Sequence, residues 1–111
     1  MVRPRRKYRN VPTVVDGISF DSKKEAARYG ELRILMRAKE ITDLKIHPRY
    51  PLSLNGIPIT TYEADFSYFC RVRNRQIVED VKSPFTEKLN TFQIKRRLMK
   101  AIHNIDVEIW K

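Results

Sequence analysis

At 111 residues, 41% hydrophobic and 32% charged, the sequence is sized and composed for one soluble domain with a single core. Its 23 Lys and Arg against 13 Asp and Glu give a formal net charge of +10, a field that attracts polyanions, so nucleic acid is the expected partner; charge alone separates neither DNA from RNA nor binding from cutting. A lone Cys70 excludes an intramolecular disulfide and, with only His47 and His103, any zinc-type spacing, while no basic-then-apolar leader and no apolar run near the roughly 18 residues of a membrane span is present, so a cytoplasmic protein with no membrane partner is expected.

Residues 1–10, MVRPRRKYRN, read as a flexible basic arm whose Arg3, Arg5, Arg6 and Lys7 are placed either along phosphates or simply in solvent. Residues 11–111 read as one domain. Asp16-Gly17 between short β-branched or aromatic runs predicts a tight hairpin. Ser22-Lys23-Lys24-Glu25 then matches a capping box and starts a helix that runs to about Lys39. Alternation at Leu44 and Ile46, with Pro48 and Pro51, marks an edge strand or extended segment, and Asn55-Gly56 is a second turn. A β-compatible stretch follows from about Pro58 to Val72. After the polar turn at Arg73-Asn74-Arg75, the returning strand covers Gln76 to Lys82 and Ser83-Pro84 ends it. A second helix begins between Thr86 and Asn90 and reaches His103, and Asp106 to Trp110 alternates as a last strand. The class is α/β: helix, three strands, helix, strand, preceded by a small β-hairpin.

Several charges are not explained by such a fold alone. Asp80 and Lys82 lie two apart on a strand and so share a face, where a carboxylate can hold a hard cation and an ammonium can orient water or offset charge on phosphate. Asp65 sits among aromatic neighbours that predict burial. Its meeting with Asp80 depends on the turn. With a loop of Arg73-Asn74, Asp65 lies opposite Lys82 and diagonal to Asp80; with a loop of Arg73-Asn74-Arg75 it lies opposite Ser83 on the other face, unless a bulge intervenes. Converging carboxylates repel unless a cation separates them, which is the argument for Mg²⁺ or Mn²⁺.

Both helices carry a charge on an apolar stripe. Glu25 shares one with Tyr29, Leu32 and Met36, and either caps the helix, serves the site, or does both. Lys95 falls among Phe92, Leu98, Met99 and Ile102, where its head either snorkels or reaches a phosphate. Arg96, Arg97 and Lys100 form a separate basic face for a nucleic-acid backbone or for solvent. His47 and His103 have no partner at ligand spacing and read as ordinary.

The runs Val15–Ala26, Tyr62–Phe66, Val78–Ser83 and Phe92–Met99 together resemble a small phage and prophage family assigned to the PD-(D/E)XK nuclease superfamily. The resemblance covers nearly everything after the arm. It implies a restriction-endonuclease-like αβββαβ core, a central mixed sheet flanked by helices. It also implies a first-helix acid at Glu25, the "PD" acid at Asp65, the "(D/E)XK" pair at Asp80 and Lys82, and an auxiliary residue at Lys95. Ala64 stands where the motif has proline, and Asp80 where glutamate is commoner, both tolerated variations. The implied activity is Mg²⁺- or Mn²⁺-dependent endonuclease cleavage of duplex or branched DNA. Asp65, Asp80, Glu25 and the carbonyl of Val81 are its implied ligands, and a homodimer in the host-cell cytoplasm is its implied setting. A non-catalytic basic nucleic-acid-binding module and a Holliday-junction resolvase are the rival readings.

Overall fold

Asp16-Gly17 turns the chain at φ 53 and 75, the left-handed pair of a type I′ turn, so β1 (Thr13–Val15) and β2 (Ile18–Phe20) form the expected hairpin. Ser22 then caps α1 (Lys23–Arg37): its hydroxyl accepts from the Glu25 amide at 3.1 Å, a first-turn donor that helix geometry leaves free. The chain continues as β3 (Ile41–Ile46), β4 (Arg49–Leu54) and β5 (Ile57–Glu63), with Asn55-Gly56 repeating the φ 53 and 75 turn between the last two. There follow β6 (Phe66–Cys70), β7 (Arg75–Val81), the short α2 (Pro84–Glu87), α3 (Asn90–His103) and β8 (Glu108–Trp110). This computed structural model describes residues 11–111; the basic arm, with Arg3, Arg5, Arg6 and Lys7, lies outside the described residues.

The main sheet has the order β3-β6-β7-β8, antiparallel except for the parallel pair β7–β8. A parallel neighbour needs a crossover, and α3 supplies it. The protein is therefore an α/β fold with a mixed sheet between helices. Alternation along β7 divides the core: Ile77 packs with Phe20, Tyr29, Leu32, Phe66 and Tyr68 on the α1 side, and Val78 packs with Phe92, Met99 and Val107 on the α3 side. Full burial of residues such as Leu32, Phe66 and Met99 contributes about 1.5–3 kcal/mol each.

The stretch read as one strand from 58 to 72 is two. β4 and β5 leave the main sheet as a separate hairpin, whose Leu52 and Tyr62 join the α3-side core, and His103 Nε2 lies 2.8 Å from the Pro51 carbonyl. Two backbone bonds cross-link the points where the chain leaves and re-enters the sheet: His47 N donates to Asp65 O at 2.9 Å and Ala64 N to Pro48 O at 3.0 Å. With the hairpin set aside, the order is helix, three strands, helix, strand. On α1 the stripe holds for Glu25, Tyr29 and Leu32, but Met36 is 37% exposed and Leu35 takes over the last core contact.

Candidate active site

The β6–β7 register differs from both sequence alternatives. Cys70 pairs with Arg75 and Phe66 with Glu79, so the turn is Arg71–Asn74, and one further step along the ladder sets Asp65 level with Asp80. The shift from the shorter-loop reading is two residues. Parity is kept, so Asp65 and Asp80 belong to the same face.

A cleft of about 560 Å³ opens at this end of the sheet. Glu25, Asp65, Asp80, Lys82 and Lys95 all line it, and so does Val81. β7 brings Asp80, and Lys82, expected within that strand, follows one residue beyond its end at Val81; α1 brings Glu25 from its first turn, and α3 brings Lys95. The Glu25 carboxylate does both jobs at once: it reaches back to the backbone at Asp21, beside the cap, and its Oε1 lies 2.7 Å from His47 Nε2.

Asp80 is 1% exposed and accepts from the buried Tyr62 hydroxyl. Lys82 Nζ stands 3.8 Å from Asp80 Oδ2 and 4.6 Å from the centre of the Phe92 ring, a cation–π contact that holds the ammonium over the cleft. Lys24 of α1 donates to the Lys82 carbonyl at 3.1 Å, fastening the helix start to the end of β7. Asp65 Oδ2 accepts from the Val81 amide at 2.7 Å.

Electrostatics follow from three acids in a small space. Burial, then the neighbouring Asp80 and Glu25 carboxylates, push the Asp65 carboxyl up to about 9, against the Val81 amide, which favours the anion. Burial also raises Glu25, with His47 opposing it. Burial and the Asp80 charge hold the Tyr62 phenol well above its ordinary value, so it remains a donor. An oxygen-rich set short of compensating charge suits a hard divalent cation. The residues present fit one.

Two residues that touch these acids were not singled out by sequence reasoning. His47, read as ordinary, offers a ring nitrogen that lies with one carboxylate oxygen each of Glu25 and Asp65 in a group whose atoms are all within 4.8 Å of one another. It sits in the left-handed region at φ 53, where a non-glycine residue costs about 1–2 kcal/mol. Tyr62 read only as a strand aromatic. Spacing signals neither, because each reaches the site through the hairpin excursion.

On the opposite face, Glu79 forms a separate buried network. Arg28 Nε donates to it at 2.7 Å and Nη2 at 3.0 Å, the Tyr68 hydroxyl donates as well, and the Trp110 ring lies 3.5 Å from the Arg28 guanidinium. Burial pulls Arg28 down, but the bonds to Glu79 prevail and raise it above its ordinary value.

The basic face of α3 is only partly free. Arg97 is exposed; Lys100 pairs with Asp106 at 3.0 Å; and Arg96, half-buried, donates to the Val107 carbonyl at 3.2 Å. Among the described residues, no helix is long and apolar enough to cross a membrane. A family model described as "Protein of unknown function (DUF1064)" matches residues 5–110. No curated protein and no solved structure matches the chain.

Proposed function

The chain belongs to the DUF1064 family, and from that premise we propose that it is a metal-dependent DNA endonuclease with a restriction-endonuclease-like, PD-(D/E)XK site. The observation that carries this reading is that Glu25, Asp65, Asp80, Lys82 and Lys95, on four different segments of the chain, line one cleft. A net charge of +10 suits a polyanionic substrate. The helix, three-strand, helix, strand order around a mixed sheet agrees with the fold that the reading requires.

Asp65, Asp80 and Glu25 would hold Mg²⁺ or Mn²⁺, which when bound supplies positive charge to a scissile phosphate and to the departing oxygen. The chain's own residues do the rest. Lys82, fixed beside Asp80 and over Phe92, orients the attacking water and balances charge as the phosphate becomes more negative. Lys95 meets a non-bridging phosphate oxygen from the α3 wall. Tyr62 keeps the Asp80 carboxylate in one orientation. The Val81 amide favours the ionised form of Asp65, the form that binds a cation. No covalent enzyme intermediate is required.

Incubation of linear, flapped and four-way DNA with Mg²⁺ or Mn²⁺ tests the reading. Cutting that EDTA stops is expected, and a preference for four-way DNA would identify a junction resolvase. Salt-sensitive binding with no cutting of any form in either metal would show a binding module instead.

A further inference from the structure

We infer that His47 is a metal ligand, and that Glu25, His47 and Asp65 form a mixed nitrogen and oxygen position that selects Mn²⁺-class transition-metal ions over Mg²⁺. The inference deepens the proposed function, since it rests on the cleft's holding a divalent cation.

The geometry has the required reach. Ligand atoms around a transition metal stand about 2.0–2.2 Å from it, hence roughly 3–4 Å from one another. One atom from each of Glu25, His47 and Asp65 already lies within 4.8 Å of the others, so modest side-chain rotation closes the set. Glu25 Oε1 and His47 Nε2 stand at 2.7 Å, so the two donor atoms already face one another closely enough to share one cation.

The backbone shows that this meeting is built in. His47 N donates to the Asp65 carbonyl at 2.9 Å, so two of the three residues are tied to each other before their side chains are considered. The left-handed conformation of His47, φ 53, falls where β3 ends and the hairpin excursion begins, and the Phe20 ring stands 5.9 Å from the imidazole. Glu25, only 4% exposed, is a buried acid.

Donor chemistry then sets the preference. Mg²⁺ favours carboxylate, carbonyl and water oxygens; imidazole nitrogen suits Fe²⁺, Ni²⁺, Cu²⁺ and Zn²⁺ best, and Mn²⁺, the weakest of that series and itself largely oxygen-seeking, still accepts it more readily than Mg²⁺ does. Asp80, held by Tyr62 and with the Lys82 ammonium 3.8 Å away, offers only oxygen donors of its own beside Asp65. Glu25 and Asp65 line the cleft and His47 stands beside Glu25, outside that lining, so a nitrogen donor meets these acids on the α1 side while Asp80 offers oxygen at the β7 end.

The test is pulsed electron paramagnetic resonance of Mn²⁺ bound to the full chain, with Mn²⁺ and Mg²⁺ affinities by titration calorimetry. Wild-type protein is expected to show ¹⁴N coupling to Mn²⁺ and to bind Mn²⁺ about ten-fold or more tighter than Mg²⁺. His47→Gln should abolish the coupling and remove most of that preference. His47→Asn, a residue that tolerates positive φ, should behave the same way, so misfolding of one variant does not decide the result. Bound Mn²⁺ without ¹⁴N coupling, or an unchanged preference in both variants, overturns the inference while leaving the nuclease reading intact. Nitrogen-coupled Mn²⁺ with no DNA cutting sustains the inference and overturns the nuclease reading. No binding of either metal overturns both.

Discussion

Asp65 accepts a 2.7 Å hydrogen bond from the amide of Val81, the residue between Asp80 and Lys82. This bond joins the end of one strand to the charged end of the next, and it holds Asp65 at the site although the residue sits just outside β6. It also works against a large opposing effect, since burial and two neighbouring carboxylates push Asp65 up to about 9.

That opposition predicts how metal-free stability depends on pH. An acid whose folded-state value lies above its ordinary 3.8 binds its proton more tightly when folded. Its contribution is fully present below pH 3.8 and is lost as pH rises toward about 9. Melting temperature in EDTA should therefore fall across that window. Asp65→Asn should flatten the fall and melt higher at pH 8, by roughly 5 °C or more. A steeper fall in the variant would contradict the assignment.

Adding Mn²⁺ should reverse the same loss. A cation bound only to the folded chain stabilises it by about 2.7 kcal/mol at a hundred times its dissociation constant. The gain in melting temperature is expected to be larger at pH 8 than at pH 5, because protonated carboxylates are poor ligands. Asp65→Asn should lose most of this gain; an equal gain in both proteins would place the ion elsewhere.

Arg28 and Glu79 predict a stability defect of a different kind. Removing one partner of a buried ion pair costs about 3–5 kcal/mol, because the other charge is left unpaired. Glu79→Ala and Arg28→Ala should each lower unfolding free energy by that order in denaturant titrations. Since Glu79 faces away from Asp80, a folded fraction of either variant should retain cutting per folded molecule. A loss of only a few tenths of a kcal/mol would show that the pair is not closed in solution.

Neighbouring arginines on α3 should part company. Arg97→Ala, at an exposed position, is expected to weaken DNA binding evenly across sequences and to reduce the salt slope by about one unit. Arg96→Ala, which breaks the bond to the Val107 carbonyl, should mainly lower melting temperature. Equal salt slopes for wild type and Arg97→Ala would remove α3 from the interface.

How far the sequence discloses this arrangement depends on the range of each interaction. Asp80 and Lys82 are legible because strand alternation is local, and Asp16-Gly17, Asn55-Gly56 and the Ser22 cap are legible because turns and caps need particular residues. The β6–β7 register was not, since the polar run that marks the turn fits several loop lengths, and the structure uses Arg71–Asn74. The break at Ala64-Asp65 was hidden inside a continuous β-compatible run. His47, Tyr62 and Arg28 meet Glu25, Asp80 and Glu79 across 22, 18 and 51 positions, separations at which periodicity carries no signal.

Paired binding and cutting assays on Asp80→Asn test the central claim most directly. The variant removes one negative charge and little volume, so its affinity for DNA should equal or exceed that of the wild type. Wild-type protein should convert supercoiled plasmid to nicked and linear forms in Mg²⁺ or Mn²⁺ and not in EDTA, and Asp80→Asn should cut at least about a hundred-fold more slowly. Cutting by Asp80→Asn at the wild-type rate, or wild-type cutting that persists in EDTA, would contradict the account.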